Sequence, residues 1–366
     1  MKSQHYLNSV RVEHFKAIQD SKSVKLTPLT VLIGNNGSGK SSLIEAMEAY
    51  RNAVVEDLDK AFASCFGFQH IWNKQSQHKL IGERAENPIR FSWLGRLPNG
   101  KAKGEMAINT RPAFNGLYIE REEWLAPVEG AGVKKERDES SLPRPLKEFI
   151  NNWQFISLMP DRMGVPAPKR MSGRSGSRQL QRDGSNLAQY LAGIRAKDIS
   201  AFDGIVETMR FVLNYAKDFQ PVETMEIQRT LYFQMKENNY DVPAWMFSTG
   251  TLRLLALLAV LRNPEPPPLV VIEEIENGLD PRTIHMILDE IREAVQSGRT
   301  QVIATTHSPY FLNLLPIQSI VLVERSGGGQ PVFWRPGDQK DVLEWAKTFS
   351  PGDLYTAGRF QRETKK

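Results

Sequence analysis

The sequence predicts an α/β protein, and three observations carry that prediction. Short, mostly apolar segments recur at Thr30–Ile33, Leu269–Ile272, Gln301–Thr305 and Ser319–Val323, each the length of a buried strand. Amphipathic stretches alternate with them. Leu43, Met47, Tyr50 and Val54 share one face of a helix over Ser41–Val55, and Ile284, Leu288, Ile291 and Val295 share one face over Pro281–Val295. A glycine-rich turn, Gly34–Gly39, joins the first apolar strand to the first of those helices.

At 366 residues the chain is long enough for two average domains or for one large domain with insertions. With 40% hydrophobic and 24% charged residues it is an ordered globular protein rather than a disordered one. The net charge of +5 permits a nucleic-acid or anionic-membrane partner without requiring one, because acids are interspersed with the bases. The lone Cys65 excludes an internal disulfide and a cysteine-built zinc site, which fits a reducing cytoplasm. The six histidines show no HExxH spacing, so a histidine-ligated metalloenzyme is not expected. Met1–Phe15 has no apolar core of the signal-peptide kind. The most apolar run, Leu252–Leu261, is broken by Arg253 and falls short of the roughly 20 residues a bilayer span needs, so it reads as a buried helix. A cytoplasmic protein with no membrane segment is expected.

The remaining elements follow in chain order. Leu7–Phe15 reads as a strand, and Leu26–Leu29 as a turn-rich entry to the next one. Ile89–Leu97, Gly104–Asn109 and Leu117–Glu122 alternate as strands, with a hairpin turn at Pro98–Gly100, which makes a β-rich lobe. Gly130–Arg144 reads as a charged loop, and Gly164–Ser185 is the least globular stretch. Asn186–Ala192 and Asp198–Lys217 read as helices, and Val222–Ile227 with Thr230–Lys236 as a strand pair. The domain expectation is an ATPase core at 1–59 and 246–325, a β-rich lobe at 60–160, a helical and β insertion at 161–245, and an extension at 326–366.

Gly34-Asn35-Asn36-Gly37-Ser38-Gly39-Lys40-Ser41 fits G-x-x-x-x-G-K-[ST] between an apolar strand and an amphipathic helix. Glycines let successive backbone N–H groups wrap phosphates, and the helix N-terminus adds positive potential. Lys40 is expected on the β- and γ-phosphates and the Ser41 hydroxyl on Mg²⁺. Asn35, Asn36, Gly37, Ser38, Gly39 and Ser42 complete the candidate nucleotide contacts. Leu269–Ile272 then ends in Glu273-Glu274, which places one acid near the metal and the other where it can orient or deprotonate water. His307 follows the strand Gln301–Ala304, where a histidine can face a ligand crevice. Taken alone it fits a structural role as well.

These motifs, with Phe247–Thr251 and Glu276–Pro281, stand in one order along the chain. The sequence thereby resembles the ABC-type ATPase heads of the SMC, RecF and OLD group, and the stand-alone bacterial "AAA family ATPase" proteins. The likeness covers residues 1–50 and 245–325, and recurs in the middle at Asp183-Gly184-Ser185-Asn186-Leu187. It implies a P-loop NTPase of the ABC/SMC-head type. Lys40 and Ser41 become the Walker A pair, Glu273 the metal-side acid, Glu274 the catalytic base, and His307 a switch histidine sensing the γ-phosphate. Ser248 and Gly250 become the signature that reaches ATP on a second copy, and Asn277–Asp280 the D-loop. ATP and Mg²⁺ are the implied cofactors, with Ser41 and Glu273 as metal ligands. Two departures stand out: a Glu where many heads carry Asp at position 273, and Ser-Thr-Gly-Thr where this branch commonly has Ser-Asp-Gly-Thr. Gln154 is a candidate Q-loop residue.

Lys40 and Glu273 are far apart in the chain, but no sustained heptads lie between them, so compact lobes are expected and no coiled-coil arm. Asn73-Lys74-Gln75-Ser76 lacks the Asp of a guanine-reading NKxD motif, which favours ATP. Lys169, Arg170, Arg174, Arg178 and Arg182 have two readings, a phosphate-backbone contact or a solvated loop. Trp124, Trp153, Trp245 and Trp345 fit a core or interface better than a base-stacking platform. The resemblance implies a homodimer whose ATP-dependent closure gates a nucleic-acid transaction or a partner effector, in anti-phage defence or DNA repair. Asp338–Asp341 does not form an Asp-x-Asp metal pair, so a nuclease or toxin is expected in a separate protein. The alternatives are the ATPase subunit of a membrane transporter, or a regulatory scaffold that holds ATP without hydrolysing it.

Overall fold

A computed structural model describes residues 5–62, 68–76, 80–81, 84–111, 116–168, 179–224 and 230–360. Cys65 and the basic residues Lys169, Arg170, Arg174 and Arg178 lie outside the described residues. The chain forms two compact units, residues 1–153 with 303–366, and residues 154–302. Among the described residues, no helix is long and apolar enough to cross a membrane.

The first unit carries an antiparallel sheet in the order Gly130–Arg137, Leu117–Ala126, Gly100–Thr110, Ile89–Leu97, Tyr6–Phe15, Ile18–Asp20, with Val24–Lys25 also on Tyr6–Phe15. Ile89–Leu97 alternates as the sequence predicts, burying Ile89, Phe91, Trp93 and Leu97. Phe91 and Trp93 meet helix Lys40–Val55 at Tyr50. Tyr50 accepts a 2.9 Å hydrogen bond from Trp93 Nε1, and its ring centre lies 6.0 Å from Phe91 and 6.1 Å from Trp153. Burial pushes the Tyr50 hydroxyl pKa far up, so it stays a neutral donor and acceptor in this cluster. The same unit holds the phosphate-loop strand. Leu29–Ile33 pairs in parallel with Ile320–Arg325, which in turn pairs antiparallel with Pro331–Trp334. Ile303–Thr306, the part of the buried strand Gln301–Thr306 that belongs to this unit, is the other neighbour of Leu29–Ile33.

In the second unit Gln154–Ile156, the greater part of the strand Trp153–Ile156, neighbours Leu269–Ile272, and all of these residues are buried. Helix Thr249–Leu261 is buried on nearly every side, which explains an apolar run that is too short for a bilayer. A smaller antiparallel sheet pairs Ala216–Glu223 with Thr230–Glu237, flanked by Ala167–Pro168 and Tyr240–Pro243. Phe219 and Phe233 stack in its core, and Phe202 from helix Ile199–Val212 meets Phe233 edge-on.

Two expectations are corrected here. Gly130–Arg137, read as loop, is a strand on the sheet's edge. Its residues are exposed on both faces, so the alternation that marks a half-buried strand is missing. The helix expected over Asp198–Lys217 stops at Val212, and Ala216 already belongs to the next strand. No Gly or Pro marks that stop, and Phe211 beside it is largely exposed.

Candidate active site

The glycine-rich turn in the first unit is built from close approaches that only glycine tolerates. A Cβ on Gly34 would stand 2.0 Å from the Val323 carbonyl oxygen, and one on Gly39, at φ +115°, would stand 2.6 Å from Pro331. Lys40 opens the helix and folds back over the loop. Its Nζ donates to Gly34 O at 2.7 Å and to Asn35 O at 3.1 Å, and the side chain is buried. Among the described residues no side chain caps this helix, and no acid stands in its first turn. The helices beginning at Thr249, Pro281 and Pro309 are capped by Ser248, Asp280 and Ser308. Ser38 Oγ is buried without a hydrogen-bond partner among the described residues. An orphaned hydroxyl of this kind costs about 1–3 kcal/mol, so the loop is short of an acceptor. Asn35, Asn36, Gly37 and Ser41 are exposed, and Ser42 is half-buried.

Sequence reasoning missed Arg325. Its Nε donates to Gly37 O at 2.8 Å and its Nη1 to Gly329 O at 2.6 Å, tying the turn to the neighbouring strand. The first contact joins residues 288 positions apart, so no local pattern could have signalled it. His307 is exposed, immediately beyond Gln301–Thr306.

The second unit carries the acids. Glu273 follows Leu269–Ile272, its N–H donating to Ile156 O at 2.9 Å and its carboxylate paired with Arg182. Arg182 was grouped by sequence with the basic loop, but its guanidinium is turned to this acid. Glu274 is exposed at φ +49°, a left-handed backbone that non-glycine residues seldom adopt, and accepts from Asn277 Nδ2 at 3.2 Å. Burial lowers the pKa of the Arg253 guanidinium while the charges of Glu274 and Glu276 oppose that shift. Its Nη2 donates to Leu158 O at 3.0 Å.

The structure brings the segment Phe247–Thr251 against Glu276–Pro281. A Cβ on Gly250 would lie 2.6 Å from the Gly278 carbonyl oxygen. Ser248 Oγ accepts from Thr251 N at 3.1 Å, and Asp280 accepts from Arg282 N at 2.9 Å and from Thr283 N at 3.2 Å, so both side chains are helix caps here. The Thr283 hydroxyl, assisted by backbone donors, lowers the pKa of Asp280. Gln154 is buried within its strand and donates to Leu180 O at 2.7 Å, which holds a neighbouring segment in place. Asn73 is a buried structural residue, its Nδ2 on Lys16 O at 2.8 Å. Trp153 is core, whereas Trp245 is half-exposed just before the signature.

Comparisons with known proteins agree with this anatomy. The family model described as "AAA domain, putative AbiEii toxin, Type IV TA system" matches residues 108–313, and that described as "AAA ATPase domain" matches residues 6–78. An "ATP/GTP phosphatase" of Helicobacter pylori is 21% identical over 84% of this chain and 87% of its own length. The Nod factor export ATP-binding protein I of Sinorhizobium fredii is 36% identical over only 21% of this chain and 22% of its own. The solved SMC head bound to the C-winged helix domain of ScpA shares the fold at TM-score 0.56 and 14% identity, covering 93% of this chain and 99% of that one. The Pyrococcus furiosus SMC head with an extended coiled coil does so at TM-score 0.55 and 12% identity, covering 94% and 100%. No long coiled-coil arm is evident among the described residues. With a family model spanning more than half its length, the chain belongs to the AAA-domain family and is an ABC-type ATPase of the SMC-head kind.

Proposed function

We propose that this chain hydrolyses Mg²⁺·ATP and that ATP-dependent pairing of two copies gates a partner effector or a nucleic-acid transaction. The observation that carries the nucleotide reading is the phosphate loop itself. It combines an uncapped helix N-terminus, an orphaned Ser38 hydroxyl and the Lys40 ammonium held over the loop carbonyls. All three supply donors or positive charge where phosphate oxygens supply acceptors. Ser41 and Glu273 offer one hydroxyl and one carboxylate, a donor set that suits Mg²⁺ completing its shell with phosphate oxygens and water. When bound, the metal neutralises charge on the phosphates.

Glu274 then orients and deprotonates the attacking water, and His307 senses the γ-phosphate end. Ser248 and Gly250, exposed or half-exposed beside the D-loop, face the nucleotide of a second copy, with Asp280 supporting that edge. The ATPase core is assigned to residues 1–59 and 246–325, acting in the cytoplasm. The effector, a nuclease or toxin, is assigned to a separate protein in anti-phage defence or repair. The transporter reading rests on matches over 21% to 40% of the chain, whereas the phosphatase match runs over 84% of it.

The deciding experiment measures phosphate release with ATP and, because the relative's name includes it, with GTP. The Glu274→Gln chain is expected to bind ATP normally and turn it over at least about a hundredfold more slowly, since an amide keeps the hydrogen bond but is a poor base. Undiminished hydrolysis in that variant removes Glu274 from the base role.

A further inference from the structure

The pairing of Arg182 with Glu273 is built, not incidental. Both residues hang on one backbone segment: Glu273 N donates to Ile156 O at 2.9 Å, and Ser157 N donates to Arg182 O at 2.8 Å. The next turn fixes the arginine's stem further. Met159 N donates to Asp183 O at 3.0 Å, Ser185 N to Asp183 Oδ1 at 3.0 Å, and Arg162 Nη1 to Asp183 Oδ2 at 3.2 Å. Gly184 takes φ +78°, and a Cβ there would stand 2.7 Å from Met163 Cγ. Asn186 clamps the other side, accepting from Gln181 N at 2.7 Å and donating to Gln179 O at 3.0 Å, while Gln154 holds Leu180 O at 2.7 Å. The Asp183–Leu187 segment is therefore a rigid turn that aims Arg182.

Glu273 is 14% exposed at its side chain and Arg182 39%, so the carboxylate is the more desolvated partner and needs a counter-charge. A flexible surface pair contributes little, but here the backbone has already fixed the geometry. We propose that Arg182 is a positioning residue for the metal-side carboxylate: its guanidinium is the cation Glu273 holds until Mg²⁺ arrives with the nucleotide, so the pair sets how much Mg²⁺ the site requires. The proposal rests on Glu273 being the metal-side acid. A carboxylate oxygen committed to Mg²⁺ cannot keep the same contact with arginine, and the two cations compete for it.

Binding of a fluorescent ATP analogue, titrated with Mg²⁺ from an EDTA-stripped start, tests this without any turnover. In Arg182→Ala the half-saturating Mg²⁺ is expected to fall about fivefold, the scale of a partly exposed ion pair. Arg182→Lys keeps the charge and stays within about twofold of the unaltered chain. In a Glu273→Ala background, removing Arg182 leaves the midpoint where it was. Arg182→Gln repeats the measurement if the alanine variant does not fold. An unchanged or raised midpoint in a folded Arg182→Ala or Arg182→Gln chain overturns the proposal, as does an equal shift without Glu273. A Glu273→Ala chain whose midpoint equals that of the unaltered protein overturns the metal-side reading itself, which separates the two failures.

Discussion

Lys40 gathers the chemistry of the phosphate loop at one atom. Its Nζ is held by the Gly34 and Asn35 carbonyls, already over the place where the motif puts phosphate. Lys40→Ala removes the charge together with those contacts, and ATP affinity is expected to fall at least about tenfold, read by equilibrium binding. Stability should change by only about 1 kcal/mol, because no unpaired charge is left behind. Asp280 shows how a residue read as the end of the D-loop also serves the fold. It caps helix Pro281–Gln296, and Asp280→Ala should cost about 1 kcal/mol at neutral pH. Its folded pKa lies below the usual 3.8, so its contribution is complete above that value and is lost as pH falls through the lower folded value. Melting curves of the two chains are therefore expected to converge only below about pH 3.8. A gap that closes already near neutrality contradicts the capping account.

At the scale of elements, what was legible in the sequence was local. The strand–glycine turn–helix at Val31–Val55 declares itself because period and turn chemistry lie within one short window. Leu269–Ile272 and Pro281–Gln296 were readable for the same reason, by an apolar run and by a capped, proline-started amphipathic face. Gly130–Arg137 was not readable, since an edge strand exposed on both sides has no apolar face to announce it. Arg182 and Arg325 were not readable as site residues either. Their partners lie 91 and 288 positions away, and only the fold brings them near. Phe247–Thr251 and Glu276–Pro281, the segments proposed as signature and D-loop, meet at Gly250, whose missing side chain is what allows the contact. Gly250→Ala drives a methyl into the Gly278 carbonyl, so about 1–3 kcal/mol of stability should be lost. ATP hydrolysis is expected to fall about tenfold or more while binding at Lys40 persists, measured by turnover beside equilibrium binding. Full turnover in that variant separates the signature segment from the reaction.

For the whole molecule, the fold follows SMC heads over almost the entire chain, including stretches where the sequence showed only isolated likenesses. Turnover is proposed to need a site completed by the Ser248–Gly250 segment of a second copy. In the Glu274→Gln chain, ATP should therefore produce a dimer by sedimentation, and adding Ser248→Arg should abolish it by setting a bulky cation on the contact. The most direct measurement is the ATPase rate per chain as the unaltered protein is diluted at saturating ATP. The rate per chain is expected to fall toward zero once the protein drops below the concentration at which it pairs. A constant rate per chain, carried by protein that sediments as a monomer, contradicts it.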